Sequence, residues 1–235
     1  MLVIASERIN QHVLMKIIMA KGLEIPYLPE HGHNSTADDV ALALNKCPTL
    51  AIAHLPWGGF GHKPDVSFAI AHGNQAIFLK YFVEEETLRS TYTHPNDPVY
   101  NDSCVEFFIG FNDEIRYYNL EFNCAGTCLA GFGSGRERTL LSADLISRIG
   151  HHSFVKHLPL QNRVHWELTL VIPLEIFSYH ELHSLVNIRS RGNFFKCGEE
   201  LPEPHYLAWK NIQSAEPNFH LSEFFGGLNF VAERC

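Results

Sequence analysis

PVYNDSCVEFFIGFNDEIRYYNLEFNCAGT, Pro98 to Thr127, holds two runs of strand character with polar groups set among aromatics. Ser103 to Phe111 alternates imperfectly, with Val105, Phe107 and Ile109 toward one face and Cys104, Glu106, Phe108 and Gly110 toward the other. Asn112-Asp113-Glu114 supplies turn chemistry. Arg116 to Cys124 then keeps a period of two, with Tyr117, Asn119, Glu121 and Asn123 on one face and Tyr118, Leu120, Phe122 and Cys124 opposite. A hairpin follows, and its second strand carries an unusual polar face. Two readings of that face are open: a solvated sheet surface with Asx turns, or a surface that recognises hydroxyls. In the second, amides and carboxylates exchange hydrogen bonds with sugar hydroxyls, aromatics cover the apolar ring faces, and Glu106 joins from across the hairpin.

The chain has 235 residues, 46% hydrophobic and 19% charged, enough for one large β domain. Its 17 Phe and 8 Tyr suit strands and broad apolar packing better than a helical bundle. A formal net charge of −8 without a long Lys/Arg cluster argues against nucleic acid or an anionic membrane as the main partner. No uninterrupted apolar run of about 18 residues predicts a membrane span. The beginning, MLVIASERINQHVLMKIIMAKG, lacks the basic, apolar, small-residue order of an export signal, so a cytoplasmic location is expected. Cys47, Cys104, Cys124, Cys128, Cys197 and Cys235 are scattered, which predicts mostly reduced, buried thiols. Cys124 and Cys128 lack zinc-ribbon spacing, and the 15 His include no H-E-x-x-H.

Along the chain, Val13 to Ala20 reads as a short strand, and Pro26 to Pro29 imposes an extended or turning backbone. Ser35 or Thr36 caps a helix through Asn45, with Asp38 and Asp39 in its first turn. Thr49 to His54 is a strand leading to the loop Leu55 to Gly61, where Trp57 is placed to cap either the core or a ligand. Val66 to His72 and Gln75 to Val83 pair through a Gly73-Asn74 turn. Gly131 to Arg136 matches no phosphate loop and reads as a flexible turn. Ser142 caps a short helix to Ile149, Val164 to Ile172 is a strand, and Leu174 to Phe177 begins a helical turn. Gly192 to Ile212 shows turn residues and little period, and Leu228 to Val231 is strand-like.

Short strands joined by Gly, Pro and Asn turns, with two or three brief helices, predict an all-β antiparallel sandwich. VYNDSCVEFFI, YYNLEFNCAGT, the W-E-L-x-x-x-I-P element at Trp166 to Pro173, GNFFKCG with PHYLAW, and FHLSEFFGGLNF together resemble the family 9 carbohydrate-binding-module-like proteins. The likeness is greatest to a single-domain branch found in gut and environmental bacteria. It spans about Thr49 to Phe230 and leaves residues 1–48 as an N-terminal extension packed on a 49–235 sandwich. The resemblance implies an immunoglobulin-like or jelly-roll sandwich that binds the end of a glycan between aromatic rings. It puts Tyr100 at the stacking position, where relatives often have Trp, and Glu106 as the acid that bonds sugar hydroxyls. Trp57 is the candidate second wall. Some relatives hold calcium, for which Asp102 and Asn101 offer oxygen ligands. No other cofactor is implied.

Arg89 reads either as an ion-pair partner of Glu84 to Glu86 or as a donor to the ligand. Trp166 belongs to the apolar face of a strand and reads as core, and His220 as a packed or loop-capping histidine. Lys196, His205 and Trp209 share an irregular segment that covers a sugar or closes one end of the sandwich. The leading expectation is non-catalytic carbohydrate recognition, in which Glu106, Asn119, Glu121 and Asn123 satisfy hydroxyls. Affinity should be low, because a small polar ligand offers few heavy atoms. The alternative is a glycan-active enzyme of hydrolase or lyase type using Glu106 and Glu121 as acid and base. Haem is not expected, since Met1, Met15 and Met19 all precede the sandwich.

Overall fold

A computed structural model of the chain describes residues 22–58 and 63–235, so the expected Val13 to Ala20 strand and Gly59, Phe60 and Gly61 lie outside the described residues. Thirteen strands form one continuous sheet folded over on itself into two layers. In chain order they are β1 (Leu23–Gly32), β2 (Leu50–Ala51), β3 (Asp65–Asn74), β4 (Ala76–Glu85), β5 (Cys104–Phe111), β6 (Tyr117–Asn123) and β7 (Cys128–Ser134). Then follow β8 (Glu137–Leu140), β9 (Gly150–Leu158), β10 (Arg163–Pro173), β11 (Ser190–Cys197), β12 (Tyr206–Ala208) and β13 (Gly226–Arg234). One layer runs β8-β7-β6-β5-β11 and the other β3-β4-β10-β9, with β13 and β1 forming the seam. Pairing is antiparallel within both layers, and only β1 runs parallel to its neighbours, β13 and β3. Its ladder with β13 shifts register between Ile25 and Tyr27, where Pro26 has no N–H to give.

The expected hairpin forms as β5 and β6, and Asn112 and Asp113 adopt positive φ at its turn. The second expected hairpin also forms, one residue later than the sequence suggested. Gly73 pairs with Ala76, so Asn74 and Gln75 make the turn, Gln75 at φ 58°. Gly73 is needed for close approach instead, since a Cβ there would stand 2.4 Å from the His31 carbonyl oxygen.

The expected flexible turn at Gly131 to Arg136 is instead mostly strand. β7 continues through Ser134, and only Gly135, at φ +59°, and Arg136 make the turn into β8. The segment Gly192 to Ile212 likewise contains β11 and β12. Its strands were hidden because β11 is buried on both faces and so does not alternate.

Inward-facing rings tie the layers together: Phe194 of β11 stacks between Phe68 of β3 at 3.8 Å and Phe107 of β5 at 4.9 Å. Trp166 is fully buried among them, as its strand pattern predicted. Outside the β3-β4-β10 layer lies α1 (Ala37–Leu44), capped by Thr36 Oγ1 accepting from the Asp39 amide. It buries Ala37, Val40 and Leu44 against Ala69, Ala71 and Phe78. A shorter helix, α2 (Ala143–Ile146), is capped by Ser142 as expected. Four cysteines are buried free thiols, but Cys47 and Cys235 are joined in a disulfide, which corrects the expectation for that pair. No helix among the described residues is long and apolar enough to cross a membrane.

Candidate functional site

The outer face of the β8-β7-β6-β5-β11 layer is the polar face that the sequence left open between two readings. It is not solvated: Asn119, Glu121 and Asn123 are 1%, 5% and 0% exposed. A second apolar layer covers this face, made of Trp57, Ala208 and Phe219, with Cys104, Phe108 and Tyr117 of the hairpin and Phe195 of β11 beneath. Between this cover and the sheet lies a cavity of about 390 Å³. That volume suits a small ligand such as one or two sugar rings.

Register builds the cavity floor. Glu106 of β5 directly opposes Glu121 of β6, and Asn119 opposes Gly131 of β7. Directly opposed residues point to the same side of a sheet, so these side chains share one floor. Gly131 and Gly133 let β8 and the Asn119 side chain come close: a Cβ at Gly131 would stand 3.0 Å from Asn119 Oδ1, and one at Gly133 2.4 Å from the Glu137 carbonyl oxygen. Trp57, Tyr100, Tyr206 and Phe219 form the aromatic sides, with Trp57 edge-on to Tyr206 at 5.9 Å and tilted against Phe219 at 5.6 Å. Arg138 of β8 and His220 complete the wall nearest Tyr117.

Burial sets the protonation of this floor. Glu106 is pushed well up from the ordinary carboxyl range by loss of water, and Cys197, Glu121 and Glu199 add to the rise. Glu121 is raised to about 7, again mainly by burial, while Asn119 and Arg138 oppose the rise. Asn119 Nδ2 donates to Glu121 Oε1 at 2.7 Å and fixes its orientation. Burial also raises Tyr100, and raises Tyr206 to about 12, so both phenols stay neutral and able to donate. The cavity thus presents phenol, carboxyl and amide groups beside ring faces, a set that can both donate to and accept from hydroxyls.

Of the residues singled out from sequence, Trp57, Tyr100, Glu106, Asn119 and Glu121 meet in this cavity. The others lie elsewhere. Asn123 and Asp102 form a clamp at the end of the hairpin: Asp102 Oδ2 accepts from the amides of Thr91 and Tyr92 and from Asn123 Nδ2. Arg89 pairs with Asp102, 3.2 Å away, and with Glu200. Asp102 Oδ2 is thus taken by three donors while Oδ1 faces Arg89 Nε, and Asn101 Nδ2 donates to the Tyr92 hydroxyl.

Lys196 and His205 face the sandwich interior. Lys196 Nζ lies 2.9 Å from Glu85 Oε2 and donates to the Cys197 carbonyl and to His205 Nε2. An ammonium only donates, so His205 accepts through Nε2 and its Nδ1 hydrogen goes to the Glu203 carbonyl. Trp209 packs on Phe68 and Phe194 and not on the cavity.

The sequence reading missed Tyr206, Arg138 and Phe219. Tyr206 sat within the quoted PHYLAW motif, but Arg138 follows a glycine run read as a turn. His220 does pack, as expected, yet it also lines the cavity. Among the described residues, the group with metal-ligand spacing is Cys104, Glu106 and Cys197.

Fold and cavity together define a β-sandwich with a pocket on the outer face of one layer. Its family is shown directly: a model of carbohydrate-binding family 9 matches residues 36–230, and the chain belongs to that family. A candidate carbohydrate-binding protein from Bacteroides uniformis ATCC 8492 is 34% identical, with a TM-score of 0.81 over 89% of this chain and 98% of its own. A family 9 module from Caldicellulosiruptor kristjanssonii, solved with glucose, shares the fold at 12% identity and a TM-score of 0.55, covering 89% of this chain and 95% of its own. The cellotriose complex of a family 9 module from the same organism gives 13% and 0.54, covering 91% and 95%. No curated protein matches the chain.

Proposed function

We propose that the cavity binds a terminal sugar of a glycan without transforming it. The observation that carries this reading is the cross-strand placement of Glu106 beside Glu121, with Asn119, on a floor flanked by Tyr100, Tyr206 and Trp57. Neutral phenols and two carboxyls raised by burial, Glu121 to about 7, can donate to and accept from ring hydroxyls, while the aromatic faces cover C–H surfaces. Family membership and the likeness to the Bacteroides protein support carbohydrate as the ligand class. The glucose and cellotriose complexes belong to more distant modules and set the first compounds to try. Titration calorimetry against mono- and oligosaccharides, with a glycan array alongside, tests the proposal. Affinity in the micromolar to millimolar range, reduced in Tyr206→Ala and Glu121→Ala, is expected; folded protein that binds no glycan sinks it.

One observation favours the rival reading of glycoside chemistry. Opposed residues on antiparallel strands hold their Cβ atoms about 4.5–5.5 Å apart, within reach of the carboxyl spacing used by retaining glycosidases. Both carboxyls, however, lie on one floor rather than on either side of a bound ring. Turnover of any bound glycan, abolished in Glu106→Gln, would establish the enzyme instead.

A further inference from the structure

Beneath the cavity, beside Glu106, stand two thiols that hydroxyl recognition does not require. Cys104 of β5 and Cys197 of β11 are register partners, so both thiols project on the outer face. Glu106, two residues beyond Cys104, projects on the same face. One ligand atom from each of the three lies within 4.8 Å of the other two, and all three residues are buried. Cys197 Sγ already donates to Glu106 Oε1 at 3.1 Å. Tetrahedral zinc, with sulfur at about 2.3 Å and oxygen at about 2.0 Å, sets neighbouring ligand atoms roughly 3.5–3.8 Å apart.

The surroundings favour a cation. Glu121 directly opposes Glu106 and Glu199 lines the same cavity, three carboxyls against the guanidiniums of Arg136 and Arg138 that also border it. The nearest lysine, Lys196, points through the opposite face of β11, where Glu85, His205 and the Cys197 carbonyl occupy its ammonium. Two sulfurs and one carboxylate oxygen form a donor set for a thiophilic divalent ion, zinc above all, and not for calcium or magnesium. Glu106 and Cys197 border the cavity, so a fourth position faces its solvent. Three protein ligands with one open position make a zinc site of exchangeable type.

We propose that Cys104, Glu106 and Cys197 form a zinc-binding site in the cavity floor, with water or a ligand hydroxyl as fourth ligand. Binding converts two thiols to thiolates and the Glu106 carboxyl to carboxylate, and releases their protons to solvent, with no change of oxidation state. Zinc would bind there with or without a glycan, although the two sites share Glu106.

The full chain, reduced, stripped with a chelator and desalted, is titrated with cobalt(II) as a spectroscopic stand-in for zinc. We expect a near-ultraviolet sulfur-to-cobalt charge-transfer band that saturates at one equivalent, is lost when zinc is added, and is absent from Cys104→Ser and Cys197→Ser. Glu106→Gln should weaken binding roughly 10- to 100-fold, while Cys124→Ser and Cys128→Ser leave the band intact. The 15 His offer nitrogen ligands that give no such band. Because a buried Cys→Ser change can unfold the chain, X-ray absorption on the unaltered zinc-loaded protein gives a second readout. Two sulfur scatterers at about 2.3 Å support the site. A nitrogen and oxygen shell only, or a band that survives in Cys104→Ser/Cys197→Ser, overturns it.

Discussion

Lys196 and Glu85 form an ion pair inside the sandwich, with Nζ 2.9 Å from Oε2 and both side chains at or below 2% exposure. Glu85 also accepts from Trp166 Nε1 at 2.7 Å, so strands β4, β10 and β11 meet at one polar clamp between the layers. Removing one partner leaves the other charge buried and alone, which costs about 3–5 kcal/mol. Lys196→Met should therefore lower the melting temperature by roughly 10 °C. Glu85→Gln/Lys196→Met should recover part of that loss, because glutamine keeps an acceptor for Trp166 and no charge is stranded. Calorimetric unfolding of the three proteins decides it; a double variant no better than the single would show that the pair is not coupled.

Tyr206 and Trp57 share the cavity wall but should respond differently to truncation. Tyr206 is partly exposed on β12, so Tyr206→Ala should cost about 0.5–1.5 kcal/mol of ligand binding, roughly 2- to 10-fold in Kd, with little change in stability. Trp57 is only 7% exposed, leans on Phe219 and donates through Nε1 to Ser214. Trp57→Ala should cost about 3–5 kcal/mol of folding stability, whatever it does to the ligand. Paired titration and urea unfolding separate the two. Equal stability losses would place Tyr206 in the packing as well.

The disulfide between Cys47 and Cys235 closes 188 residues of separation and ties the segment after α1 to the end of β13. On the chain-entropy account, a loop of that length contributes about 5 kcal/mol by restricting the unfolded ensemble. Cys47→Ala/Cys235→Ala, or reduction of the parent, should lower the unfolding midpoint in urea. The double variant should no longer respond to reductant. A thiol titration in denaturant without reductant should find only Cys104, Cys124, Cys128 and Cys197 reactive.

The sequence announced much of this fold through its periods and turns, and it lost what double burial conceals. The β5 and β6 hairpin was readable because Asn112 and Asp113 mark its turn and β6 alternates cleanly. β11 was not, because both its faces are covered and Arg191 to Cys197 shows no polar alternation. Asn119 and Glu121 declared themselves by standing in a row beside Tyr117, yet Asn123 on the same face serves the Asp102 clamp. Parity on a strand gives direction, whereas position along the strand decides which side chains reach the cavity. Lys196 and Cys197 show the same limit: adjacent in sequence, they face opposite sides of β11, one into the sandwich and the other onto the cavity floor.

His220 makes the pH dependence of stability readable at a single ring. Its Nδ1 accepts from Arg138 Nη2 at 2.9 Å, and the ring stacks on Phe108. Burial, helped by Arg138 and Arg136, lowers its pKa from 6.5 to about 3. The unfolded chain therefore binds this proton more readily than the folded one between those two values. The resulting contribution is fully present above pH 6.5 and is lost as pH falls toward 3. His220→Gln offers an amide oxygen to Arg138 and cannot titrate in this range. The stability of the parent relative to His220→Gln should thus be greatest near pH 7 and shrink steadily on acidification, as measured by urea unfolding at closely spaced pH. A gap that stays constant from pH 7 to 4 would mean that the folded ring takes up its proton as readily as the unfolded one, and that Arg138 does not hold it neutral.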